Sequence, residues 1–90
     1  MFKIINPEKG VTVIMGNTKA IQSLYKSMYR HVLTTWKSKF FQCYADPYIF
    51  NSKYSTYGIV IDESETRYAE VSVLRGDQLL AYLIEVGYVS

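Results

Sequence analysis

The sequence predicts a single small α+β domain spanning residues 1–90, with element order ββαβββα, a mainly antiparallel sheet and helices on one face. Three observations predict it. Ninety residues allow one modest core. A hydrophobic content of 49% with only 20% charged residues is the composition of a chain that folds rather than of a disordered one. Stretches with apolar residues at every second position alternate with stretches where they recur every three or four, the signatures of strand and helix. The single cysteine rules out an internal disulfide, and no Cys/His cluster has zinc-ligand spacing, so no cofactor or metal is expected and packing alone must hold the fold. Thiol usage points to the reducing cytoplasm. Lys3 is followed by Asn6, Pro7 and Glu8 instead of an apolar leader, and no apolar run reaches bilayer length, so neither secretion nor membrane insertion is expected.

Residues 2–5 are β-prone, 6–10 (Asn-Pro-Glu-Lys-Gly) carry turn chemistry, and 11–15 are β-prone again, which predicts a hairpin. Gly16 is expected to break the strand and Asn17 to cap a helix. From Thr18 the apolar residues Ile21, Leu24, Tyr25, Met28, Val32 and Trp36 fall on one helical face, predicting an amphipathic helix to about residue 36. Residues 39–45 read as a strand ended by Asp46-Pro47. Residues 57–62 and 66–74 read as a second hairpin around Glu63-Ser64-Glu65, with Ala69, Val71 and Val73 alternating against polar neighbours. Arg75-Gly76 is expected to turn the chain. Asp77 is expected to cap a final helix over 78–86, with Leu79, Leu80, Leu83 and Val86 as its apolar face and Gly87 at its end.

The net charge of +2 conceals a division. Residues 1–45 carry seven cations against Glu8 alone, a balance of +6, whereas residues 46–90 carry three cations against seven carboxylates, a balance of −4. Between Lys9 and Ala45 there is no carboxylate at all. At 100° per residue, Lys19, Lys26, Arg30 and Lys37 project into one narrow sector of the long helix, opposite its apolar face, as a ridge roughly 27 Å long. Ser23, Ser27 and Thr34 flank it with hydroxyls suited to phosphate oxygens. An ordinary solvated face is the alternative, but such faces usually interleave Glu or Asp at i±4, and here none occurs.

Ten of the fourteen aromatic residues lie between positions 25 and 57, more than one helix face and two strand faces can bury in a domain of this size. Surplus Tyr beside Lys is the chemistry of surfaces that stack bases while cations hold the backbone. Tyr29, Trp36, Tyr44 and Tyr48 are the candidate stacking rings, and Lys39 and Lys53 would extend the phosphate track. The competing reading assigns these rings to a core wall or a protein–protein interface, where Tyr and Trp are also enriched.

Catalytic constellations are poor, so the chain is expected not to be an enzyme. His31 stands alone, Cys43 alternates with Phe41 as a small buried hydrophobe would, and no Gly-rich phosphate loop, HExxH or paired-Cys motif occurs. Asp62, Glu63 and Glu65 read as a solvated hairpin tip. Arg75-Gly76-Asp77 matches the integrin-binding tripeptide, but Asp77 is better explained as a cap.

From Thr18 onward the order αβββα resembles the double-stranded-RNA-binding domain, and the basic helix fits its shape-based reading of phosphates. The last helix opens on Gly76-Asp77-Gln78 where that family carries a basic cluster, so its binding residues are not carried over. The stretch Lys39-Phe40-Phe41-Gln42-Cys43-Tyr44 lacks the glycine of the RNA-recognition motif. In general character this Tyr-rich, motif-poor chain resembles the small accessory and counter-defence proteins of large tailed bacteriophages. That resemblance implies inhibition of a host nuclease or defence factor.

The sequence therefore predicts a non-enzymatic protein that binds RNA or another polyanion. The alternative is a protein-only inhibitor or homodimer whose basic face docks an acidic partner.

Overall fold

The computed structural model describes residues 2–30, 40–43, 56–65 and 67–89. Within them the chain forms β1 (Phe2–Glu8), β2 (Val11–Asn17), α1 (Thr18–Arg30), β3 (Phe40–Cys43), β4 (Thr56–Asp62), β5 (Tyr68–Arg75) and α2 (Gly76–Glu85). This is the expected α+β class and the expected order. The five strands make one sheet in the order β1-β2-β4-β5-β3. Each of the first four is antiparallel to its neighbour, while β3 joins the far edge parallel to β5, pairing Phe40 with Tyr68 through Cys43 with Val71. The connection from β2 to β3 thus passes two intervening strands, and α1 lies across the sheet on that path.

The first hairpin is tighter and longer than its turn residues suggested. Pairing continues to Glu8 opposite Val11, so only Lys9 and Gly10 turn the chain, with Gly10 at φ +80°, a conformation that favours glycine. Asn6 and Pro7 are accommodated by a register shift between Ile5 and Glu8, where two residues face Thr12 alone. The Asn6 amide donates to the Val11 carbonyl and the Thr12 hydroxyl, stapling the bulge. Pro7 lacks an N–H, and an outer strand is where a sheet tolerates that. Gly16 does not break β2. It pairs with Phe2 on one side and Tyr57 on the other, because neighbours on both sides supply the ladder that its own propensity does not.

Helices on one face is the expectation that the structure corrects. Side chains alternate across a strand, so Tyr57, Ile59 and Ile61 of β4 face one way and Gly58 and Val60 the other. The first set packs with Ile14, Ala69, Val71 and Val73 beneath Ile21, Tyr25 and Met28 of α1. Val60 packs with Val11, Val13 and Ile5 beneath Leu79 and Leu83 of α2. The two helices therefore cover opposite faces. The physical reason is that β2 and β4 are apolar on both sides, reading Val-Thr-Val-Ile-Met and Tyr-Gly-Ile-Val-Ile, and such strands need cover on both.

The start of α2 also differs from expectation. Arg75 and Gly76 make no turn, since β5 runs to Arg75 and the helix begins at Gly76 with Arg75 as its N-cap. The Arg75 N–H donates to Gln78 Oε1 at 3.1 Å, while Asp77 sits in the first turn, its carboxylate 3.4 Å from Arg75 Nε. Asp77 thus complements the positive end of the helix instead of capping it. Gly87, at φ +80°, ends the helix as expected, its N–H donating to the Ile84 carbonyl.

Candidate nucleic-acid interface

The helix that carries the basic ridge is set by local chemistry. Asn17 Oδ1 accepts from the Ala20 N–H at 2.9 Å, satisfying one of the free amides at the start of α1. From there the apolar positions drive one face into the core, where Ile21 and Tyr25 are wholly inaccessible and Met28 nearly so. That burial fixes the rotation of α1 about its axis, and with it where the cations go. Lys19, Lys26 and Arg30 lie within a sector of about 40°, over about 17 Å of helix, opposite the buried row. Lys19 is exposed and Lys26 half-buried, and Ser23 and Ser27 beside them are exposed.

The electrostatics of α1 are lopsided. Its first turn contains Lys19 and no acidic residue, although the N-terminal end of a helix is already positive. A cation there is locally unfavourable, and a nearby anion would relieve it.

Tyr29 is the one candidate stacking ring within the described residues. It is 51% exposed, and its ring centre lies 6.4 Å from that of buried Tyr25 at a 49° tilt. The buried ring thus braces the exposed one one residue away from Arg30. Half-buried Cys43 packs against the same core. Burial pushes its thiol above the ordinary value, and a hydrogen bond from Tyr25 partly offsets this. That environment favours a protonated, inert thiol.

Lys19, Lys26, Arg30 and Tyr29 are thus brought together on the outer side of α1, with Arg30 described by its backbone. Trp36, Lys37, Lys39, Tyr44, Tyr48 and Lys53 lie outside the described residues, as do His31 and Thr34. At the second hairpin, the Ser64 N–H donates to Asp62 Oδ1 and the Glu63 N–H to the Gly10 carbonyl, so this acidic tip is also a structural turn. Among the described residues no three His, Cys, Asp or Glu side chains gather as a metal site would require. No helix among them is long and apolar enough to cross a membrane.

One surface escaped the sequence reading. Leu80, expected on the buried side of α2, is 52% exposed, and Ile84 and Tyr88 are exposed with it. Their spacing of four was the available signal, hidden because α2 has apolar residues on more than one side.

Comparison of the chain with protein-family models, with curated proteins and with solved structures finds no match.

Proposed function

We propose that the outer side of α1 is a polyanion-binding face that engages the phosphate backbone of RNA without catalysing a reaction. The observation that carries this reading is the same-sign basic row on a helix whose rotation is fixed by its buried side. Lys19, Lys26 and Arg30 share one sector, no acid stands in the first turn, and no carboxylate occurs in the sequence from Gly10 to Tyr44. Phosphates carry charge of the opposite sign to this row, and cations neutralising them release condensed counterions, which drives binding. Exposed Tyr29 beside Arg30 offers a plane on which an unpaired base stacks, which favours single-stranded RNA over duplex. The size and aromatic character of the chain extend the reading to interference with a host nuclease or defence factor that handles RNA.

Fluorescence anisotropy with a labelled single-stranded RNA, titrated at stepped salt, tests it. Three phosphate contacts predict a slope of log affinity against log salt of about −2. Lys26→Glu with Arg30→Glu abolishes binding, and Tyr29→Ala weakens it by about 1–3 kcal/mol. Binding that survives the double charge reversal, or that does not change with salt, overturns the reading. Copurification with and without ribonuclease separates RNA from an acidic protein as the ligand of this face, since a protein ligand stays bound after RNA is digested.

A further inference from the structure

The two edges of the sheet are not alike. β3 is four residues long, whereas β1 is seven and pairs with β2 alone among the described residues, so the backbone N–H and C=O groups on its outer side have no ladder partner there. Edge strands are commonly blunted by proline, by bulges and by charge. β1 has these devices at one end. Pro7 and the register shift stand next to the hairpin turn, while residues 2–5 are regular strand with Lys3 as their one charge.

The side chains of this open end divide between the two faces. Ile4 pairs with Ile14 of the α1 core, so Ile4 and Phe2 point to the α1 side. The helix packs over β2, β4 and β3 and leaves this strip bare. Ile4, at 62%, is the most exposed large hydrophobic residue described, and Phe2 is 46% exposed. On the other side, Ile5 and Glu8 pair with Val13 and Val11 of the α2 core. Lys3, Ile5 and Glu8 therefore share the α2 side, the bulge having returned Glu8 to that face.

An antiparallel strand completes this edge, and the charges select its register. A two-fold axis beside Lys3 would set two ammonium groups directly opposite each other. One beside Ile5 would carry the bulge and Pro7 into the new ladder. With the axis beside Ile4, Ile4 meets Ile4 of the second copy, each Phe2 lies diagonally from that pair, and Lys3 stands opposite Ile5. The row on the α2 side then reads Glu8, Lys3, Lys3, Glu8, drawn alternately from the two copies. Each lysine is one diagonal step from the other copy's carboxylate, a reach that long side chains span. We propose that β1 pairs antiparallel with β1 of a second copy about a two-fold axis at Ile4, joining two five-stranded sheets edge to edge. The self-match identifies the occupant, since one short segment supplies apolar contact on one face and opposite charge on the other. This pairing leaves both α1 helices on the same side of the joined sheet and does not rest on the RNA reading.

Sedimentation equilibrium of the full chain without RNA is expected to show a two-chain species, and hydrogen exchange is expected to slow at alternate amides of residues 2–5 as concentration rises. Ile4→Lys puts two cations at the axis and is expected to raise the dimer dissociation constant at least tenfold. Ile84→Lys, at an exposed position on α2, is expected to leave it within twofold. Lys3→Glu makes the row wholly acidic and weakens association several-fold, and adding Glu8→Lys, which restores opposite charges along the row, recovers it. Far-ultraviolet circular dichroism and a cooperative melt verify that each variant folds. A single-chain species at every concentration, a dimer indifferent to Ile4→Lys, a dimer lost to Ile84→Lys, or a folded charge swap that fails to recover association overturns the proposal. RNA binding by the monomeric Ile4→Lys chain reports on α1 alone, so failure here and failure of the α1 reading are told apart.

Discussion

Gly58 and Asn17 illustrate two ways in which one residue holds this fold. A Cβ added at Gly58 would lie 3.0 Å from both terminal methyls of Leu79, which is itself buried beneath α2. Leu79 would have to yield in a packed layer, so Gly58→Ala is expected to cost about 1–2 kcal/mol in urea unfolding, opposite to the usual gain from replacing a strand glycine. A variant as stable as the parent would show that α2 can ride up on the sheet freely. Asn17→Ala removes the side-chain oxygen that accepts from the Ala20 N–H and is expected to cost about 1 kcal/mol with little change in the urea slope. Asn17 was legible in the sequence because capping is local and depends on neighbours three residues away. Gly58 was not, because its constraint comes from a helix that begins eighteen residues later.

At the level of elements, periodicity placed the helices and strands, and tertiary context moved their ends. β1 gained Asn6, Pro7 and Glu8 because β2 supplied a partner and a bulge took up the extra residue. β5 ran on to Arg75 because β4 pairs with it to Tyr57. The docking of α2 on the first hairpin has a consequence in alkaline solution. The Tyr82 phenol, raised above the ordinary tyrosine value by burial, by its bond to Glu8 and by nearby carboxylates, stays protonated in the folded chain at a pH where the unfolded chain has already released that proton. The unfolded state then binds fewer protons, so stability falls with rising pH. The contribution is fully present below about pH 10 and is lost above it. Thermal melts between pH 8 and 11 are expected to show a steeper alkaline loss for the wild type than for Tyr82→Phe. Parallel curves would mean that Tyr82 ionises as readily folded as unfolded. In the fold, this hydrogen bond joins residues 8 and 82, a pairing no local pattern announces.

For the whole molecule, the sheet separates two chemistries. α1 presents cations to one side, while α2 and the β1 carboxylate present apolar residues and negative charge to the other. Because the two faces share no side chains, they are expected to act independently. The stability cost of Lys26→Glu with Arg30→Glu should add to that of Gly58→Ala within about 0.5 kcal/mol in urea unfolding, as additivity predicts for well-separated sites. A larger departure from additivity would mean the two surfaces communicate through the sheet or through long-range charge. The candidate site was readable to the extent that it lies on one helix. Lys19, Lys26, Arg30 and Tyr29 were found because seven- and four-residue spacings bring side chains to one side wherever a helix forms.

The sequence by itself determined the α+β class, the order of elements, the basic row and the rotation of α1 that turns this row outward, since all of these follow from short-range periodicity and from which residues water excludes. It also showed that a total charge of +2 is the remainder of two opposed halves. Only the tertiary structure decided that the two helices lie on opposite faces, that β3 pairs in parallel at the far edge, and that Leu80, Ile84 and Tyr88 are left outside. The reason is that an apolar run in a strand records that it must be covered but not by what. Which helix covers which face is settled by strand order, and strand order is set by contacts between residues far apart in the chain.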